Sequence, residues 1–337
     1  METPDQPGNR GRGGDRGDAD RGLDRDRHGS RAERRAAGAR SVRSQVARAA
    51  ALLIAVGLAG GCAYLSEKQG ELIFRPSKDE WRGFNSYKFP VDEHWIPVGQ
   101  EQKLHAWWLA GDNPKAPAVL YLHGARWNLT GSVTRIDRWR QLGFAVLAVD
   151  YRGFGKSTKE LPSEESARED ARAAWAWLAA RHPEQRRYIF GHSLGGAIGI
   201  DLAAHVKDES GTIVEGTFTS ISDVVSSFKW GWLPFGPFIT QRFESLTKVK
   251  DIGAPLLVVH GALDNLIRPE LGRKLYDAAT VPKLFVLVKG GSHHSTNTVG
   301  ELQYKAALEQ FFLLKPPALE PPTLTARQRF LRTRLRG

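Results

Sequence analysis

From about Leu72 to Leu314 short apolar runs alternate with stretches of helical period. The runs "KLHAWWLA" (103–110), "APAVLYLHG" (116–124), "FAVLAVDYRG" (144–153), "RRYIFG" (186–191), "GTIVEGTFTS" (211–220), "APLLVVHG" (254–261) and "KLFVLVKG" (283–290) predict strands. "FAVLAVDYRG" is continuously apolar rather than alternating, as in a strand covered on both faces. Helices are predicted at "SVTRIDRWRQLG" (132–143), with Ser132 as cap and Gly143 as stop, and at "SEESAREDARAAWAWLAARHP" (163–183). The second has a Ser cap, acids in its first turn, and Ala171, Ala174, Trp175 and Leu178 at helical spacing. "LGGAIGIDLAAHV" (194–206), "PELGRKLYDAAT" (269–280) and "ELQYKAALEQFFLL" (301–314) continue the series. There is no internal repeat. Such alternation predicts an α/β fold, a mostly parallel sheet with helices on both faces, and it gathers reactive groups at the carboxyl ends of the strands.

The alternation breaks over 221–252, "ISDVVSSFKWGWLPFGPFITQRFESLTKVKDI". Trp230, Trp232, Phe235 and Phe238 surround two prolines there. The segment reads as a small cap. It either packs on its own core or forms an apolar lid over an acyl pocket, with Trp230, Trp232 and Phe235 as candidate lining residues.

The two ends differ from the body. Residues 1–40 are mainly Gly, Arg and Asp, too polar to bury surface, so 1–41 is expected to be disordered, and a translation start near Val42 is expected. Arg43 and Arg48 then precede thirteen uncharged residues, Ala49 to Gly61, ending in small residues before Cys62. That run is too short for a helix to span a ~30 Å hydrocarbon core, but it suits the apolar region of a signal peptide at 42–61. The Cys after it resembles the lipobox of bacterial lipoproteins, which implies lipidation of Cys62 and a membrane-anchored envelope protein. Ala59 stands where the lipobox most often has Leu. Ala63 in place of Asp implies the outer membrane, periplasmic side, in a host with two membranes. The end, 316–337, is Pro-rich and then basic and reads as an extended tail.

Net charge changes little in this picture. Of the +11, residues 1–48 and 316–337 contribute +4 each, and the body has no basic stripe, so the charge does not mark a nucleic-acid site. A single cysteine excludes an intramolecular disulfide and a multi-cysteine zinc site.

The candidate chemistry lies in "YIFGHSLGGAIG" (188–199). Gly191-His192-Ser193-Leu194-Gly195 follows a predicted strand and precedes a predicted helix, the context in which G-x-S-x-G displays a nucleophile on a sharp turn. A serine hydroxyl needs a base, and the base an orienting acid. Asp264 follows the strand "APLLVVHG" and His293 follows "KLFVLVKG", so serine, acid and imidazole fall at three strand ends in that order. Asp150, in "DYRG", reads as turn structure, and Asp223 is the alternative acid. His192 and His260 adjoin the nucleophile and the acid turn without metal-ligand spacing, so neither a metal nor a cofactor is expected.

With these pieces the chain resembles a serine hydrolase of the α/β-hydrolase fold, near the BEM46-like group. "LYLHG" (120–124), "DYRGFGKS" (150–157), "FGHSLGG" (190–196), "VVHGALDNLIRP" (258–269), "GGSHH" (290–294) and "GELIFRP" (70–76) carry the resemblance over about 70–314. It implies Ser193 as nucleophile, Asp264 as acid and His293 rather than His294 as base. The oxyanion donors it implies are the N–H of Leu194 and that of Ala125, where the family often has Asn. Arg126 departs from the usual small polar sequence; it reads either as a contact for an anionic substrate or as a solvated side chain. The expected reaction is cleavage of an ester or thioester of a small-molecule acyl substrate. A peptidase or amidase of the same fold and a non-catalytic envelope binding protein are the alternatives. Ser193 argues against a dehalogenase, which needs a carboxylate there.

Overall fold

The computed structural model describes Arg48, Leu52 and residues 60–84, 91–228 and 236–314. The chain divides into two compact units, Met1–Ala63 and Tyr64–Gly337. In the first, the described residues are helical and Cys62 is exposed. The expected disordered segment 1–41, almost all of the expected leader 42–61 and the tail 316–337 lie outside the described residues. Among the described residues no helix is long and apolar enough to cross a membrane.

The second unit is built on eight strands: β1 (Asp92–Val98), β2 (Gln102–Leu109), β3 (Ala118–Leu122), β4 (Ala145–Val149), β5 (Arg187–His192), β6 (Gly211–Glu215), β7 (Leu256–Gly261) and β8 (Lys283–Val288). Their order is β1-β2-β4-β3-β5-β6-β7-β8; β1–β2 and β2–β4 are antiparallel, and β3 to β8 run parallel. Successive side chains of a strand point to opposite faces. Ala118, Leu120 and Leu122 thus enter one core, while Val119 and Tyr121 enter the other. Both faces are apolar because both are covered. Helices α3 (Glu164–Arg181), α4 (Leu194–His205) and α7 (Pro269–Ala278) supply Leu178, Ile198 and Leu275 to the first core. Helices α2 (Leu129–Gln141) and α9 (Glu301–Gln310) supply Ile136, Trp139 and Leu308 to the second. Each such fully buried side chain stabilises by about 1.5–3 kcal/mol.

Three elements differ from the sequence reading. Helix α2 begins earlier: Asn128 is the cap, its Oδ1 accepting from Thr130 N at 3.0 Å, and Ser132 lies inside the helix. An Asn caps as well as a Ser, and Gly131 did not stop the helix from extending over Leu129 to it. Strand β1 was not read at all. Its sequence DEHWIPV carries three polar residues and a proline, which an edge strand paired on one side tolerates. Only the first half of "GTIVEGTFTS" is strand, because β6 ends at Glu215.

Over the expected cap, α5 (Ile221–Ser226), a 3-10 turn at Gly236–Phe238 and α6 (Ser245–Lys248) are seen. Trp230, Trp232 and Phe235 lie outside the described residues. The return of this segment is held by helix α1, followed here over 64–74. Gln69 Oε1 accepts from Thr240 N at 2.8 Å, and Gln241 Nε2 donates to Ser66 Oγ at 2.8 Å.

Candidate active site

Ser193 sits between β5 and α4 with φ 55 and ψ −120, a conformation that a residue with a side chain rarely adopts. The surroundings hold it there. Its N–H donates to Glu215 O at 2.9 Å, and its carbonyl accepts from Gly196 N at 2.9 Å and Thr217 Oγ1 at 2.8 Å. A Cβ on Gly195 would lie 2.2 Å from Leu122 O, so the turn is possible only where that position has no side chain. Ser193 occupies the N-cap of α4 but makes no side-chain capping bond. Its Oγ is instead 3.0 Å from His293 Nε2.

His293 follows β8, and its Nδ1 is 2.7 Å from Asp264 Oδ2. A carboxylate only accepts, so Nδ1 carries the proton and Nε2 presents a lone pair to the serine hydroxyl. Asp264 follows β7 and is itself fixed, its Oδ1 accepting from Leu266 N at 3.0 Å and Ile267 N at 2.8 Å. Burial alone would favour its neutral form. The His260 imidazole beside it, the hydrogen bond from His293, the attraction of His293 when protonated and the Ile267 N–H outweigh burial and hold the carboxyl well below the usual carboxylate range. All three side chains thus come together from three strand ends, with Asp264 and His293 buried.

The neighbouring candidates fall elsewhere. Asp150 Oδ1 accepts from Leu129 N at 2.8 Å, and its carboxylate lies 3.5 Å from His123 and 3.6 Å from His105. Asp223 accepts from Thr219 Oγ1 and stands in the first turn of α5. His260 is fully buried, its Nε2 2.8 Å from Ile267 O and 3.5 Å from Asp264 Oδ2. His294 is exposed, with its ring edge-on to His293. His192 Nε2 donates to His293 O at 3.0 Å. Burial first, then the charges of Arg135 and His293, hold its imidazole well below the usual value, and it is neutral. Among the described residues no group of three or more His, Cys, Asp or Glu side chains is placed to hold a metal ion.

The two backbone donors expected from the sequence are the N–H groups of Leu194 and Ala125. Leu194 is the first residue of α4, where N–H groups have no partner within the helix. The loop after β3 passes over the nucleophile: a Cβ on Gly124 would lie 3.2 Å from Ser193 Cβ. Ala125 follows, and among the described residues no acceptor pairs with its N–H. Arg126, beside it, is exposed at φ 77, with its N–H on Phe74 O at 2.8 Å. Sequence reasoning missed Thr217 and Glu215, which hold the elbow, and Arg135 and Tyr304, which pair with Glu215. The signal available was a glutamate closing the otherwise apolar strand "GTIVE".

A mostly parallel sheet with a strained serine after its central strand β5 and a histidine after its last strand defines the α/β-hydrolase fold, and this chain has it. The family model Hydrolase_4, described as serine aminopeptidase, S33, matches residues 113–245. An uncharacterized protein of Mycobacterium tuberculosis is 28% identical over 247 residues, covering 72% of this chain and 86% of that one. Lysophosphatidylserine lipase ABHD12 of Danio rerio is 30% identical over 213 residues, and the match spans 56% of this chain and 55% of the lipase. Among solved structures, an esterase of Pyrococcus furiosus superposes with a TM-score of 0.55 at 23% identity, over 71% of this chain and 95% of that one.

Proposed function

We propose that this protein is a serine hydrolase, allied to the BEM46-like group, that splits an ester or thioester through an acyl-enzyme on Ser193. One observation carries the reading: an unbroken line from Asp264 through His293 to the hydroxyl of a strained serine, at 2.7 and 3.0 Å. In the first half-reaction Ser193 Oγ bonds to the acyl carbon while His293 Nε2 takes its proton. The carbonyl π electrons move to oxygen, where the N–H groups of Leu194 and Ala125 stabilise the charge. As the carbonyl re-forms, the bond to the leaving oxygen, or sulfur in a thioester, breaks, and His293 returns the proton to that atom. Water repeats the sequence and releases the acid.

The substrate class we propose is an acyl chain esterified to an anionic alcohol. Exposed Arg126 follows Ala125 directly, exposed Trp127 comes next, and exposed Leu263 and Leu266 flank Asp264. The names of the ABHD12 relatives support an anionic lysophospholipid. The test is a panel of lysophosphatidylserine, monoacylglycerol, an acyl thioester and an aminoacyl peptide. The anionic ester should have the lowest KM, and Arg126→Ala should raise that KM severalfold while sparing monoacylglycerol. Turnover of the peptide alone would instead favour an aminopeptidase, the activity in the description of the matching family model.

We extend the proposal to the cell envelope. Arg43, Arg48 and the uncharged run before Cys62 support export with lipidation at that exposed cysteine. Radiolabelled palmitate should enter the wild type and not Cys62→Ser; an unlabelled wild type would remove the lipoprotein reading.

A further inference from the structure

Behind the serine lies a buried ionic cluster that the proposed reaction does not use. Glu215, at the end of β6, is fully buried. Its Oε1 accepts from Arg135 Nε at 3.1 Å and lies 2.9 Å from Arg135 Nη2 in an ion pair, and its Oε2 accepts from Tyr304 Oη. Taking such a pair out of water is costly, and an apolar trio of similar volume would fill the space between α2, β6 and α9 as well. The cluster therefore calls for a reason beyond packing.

The base loop supplies one. His293 and His294 lie between β8 and helix α8 (Thr296–Val299), and among the described residues no backbone N–H reaches either of their carbonyls. His293 is buried, so its carbonyl needs a donor; His294 is exposed, and a side-chain donor on its carbonyl ties the loop rather than answering burial. His293 O receives its hydrogen bond from His192 Nε2 at 3.0 Å, and His294 O from Arg135 Nη2 at 3.4 Å. The same Nη2 is 2.9 Å from Glu215 Oε1, so the ion pair holds the guanidinium where it reaches that carbonyl. The Glu215 backbone meanwhile accepts the Ser193 N–H at 2.9 Å. One residue thus ties down the nucleophile turn through its main chain and the base loop through its side chain.

We infer that Glu215, Arg135 and Tyr304, with His192, form a positioning network that fixes His293 against Ser193. The inference rests on the serine-hydrolase reading for its effect on rate, though not for its effect on geometry. The proposed reaction gives none of these side chains a step of its own. They act by holding the Nε2–Oγ separation, and a displacement of about 1 Å in such a pair costs on the order of 100-fold in rate.

The test uses the full chain and two arginine variants. Arg135→Met removes the charge and both contacts. Arg135→Lys keeps a cation beside Glu215 but loses the planar fork that serves Glu215 and His294 O together. Both should lower kcat on a p-nitrophenyl ester by about 10–100-fold with KM changed less than about twofold, because positioning acts after binding. Arg135→Lys should keep the wild-type melting temperature, which separates positioning from support of the fold. The downfield proton resonance of His293 Nδ1–H, absent in His293→Ala, should broaden or vanish in both variants. An Arg135→Lys protein with wild-type kcat and an unchanged resonance would overturn the network. A wild type that hydrolyses nothing, yet loses the resonance on Arg135→Lys, would leave the network standing and remove the hydrolase reading.

Discussion

Ser193→Ala is expected to lower kcat for ester hydrolysis by on the order of 10⁴–10⁶-fold while leaving the protein folded. The size follows from what the hydroxyl does. On the proposed mechanism, without Oγ there is no bond to the acyl carbon, and what remains is binding and the two proposed backbone donors acting on water. The fold should survive because the strained turn does not depend on the hydroxyl. It is held by Ser193 N on Glu215 O and by Gly196 N and Thr217 Oγ1 on Ser193 O, none of which uses the Ser193 side chain. KM should change little, since the substrate's remaining contacts persist. A variant that keeps wild-type turnover, measured beside an unchanged melting curve, would remove Ser193 from the chemistry.

His293→Ala should be nearly as damaging, whereas His294→Ala should retain most of the activity. Among the described residues His293 bridges Asp264 and Ser193, at 2.7 and 3.0 Å, whereas His294 is exposed and its hydrogen bond is made by its carbonyl. Reversed results would mean that the register of the "GGSHH" turn is wrong. In the wild type, kcat/KM should fall about tenfold per pH unit on the acid side, the slope of one proton entering an imidazole base. Asp264 adds no second proton to that slope, because its carboxyl is held well below the usual range and stays ionised. The sign for stability agrees. A depressed carboxyl contributes stability above its unfolded value of about 3.9, and that contribution is lost only as pH falls through the lower folded value. Activity should therefore decline on the acid side with no loss of melting temperature from Asp264 while the pH stays above about 3.9.

What the sequence made legible was set by locality. The glycine-boxed serine, the acid after β7 and the histidine after β8 each carry their signal within a dozen residues, because a strand end and its turn are local objects. The parallel sheet followed from alternation alone. Strand β1 was missed because DEHWIPV has no strand pattern of its own; it exists through pairing with β2, Asp92 opposite Trp108 to Val98 opposite Gln102. The start of α2 was misplaced because Ser132 and Asn128 are both competent caps, and tertiary contacts chose between them: Asn128 Nδ2 also donates to Asp79 O at 2.9 Å. Arg135, Glu215 and Tyr304 were invisible for a stronger reason. They are 80 and 89 residues apart in sequence, and nothing short-range links an arginine on a helix face to a tyrosine on another. Only the cost of burying Glu215 at the end of an apolar strand could have flagged them.

The central claim, that Ser193 is the covalent nucleophile, is met most directly by reaction with a fluorophosphonate and mass analysis of the digested protein. The account predicts one adduct, on the peptide that contains Ser193, formed in step with loss of esterase activity and absent from Ser193→Ala. An active protein that takes up no label, or that is silenced by an adduct on another residue, would contradict it.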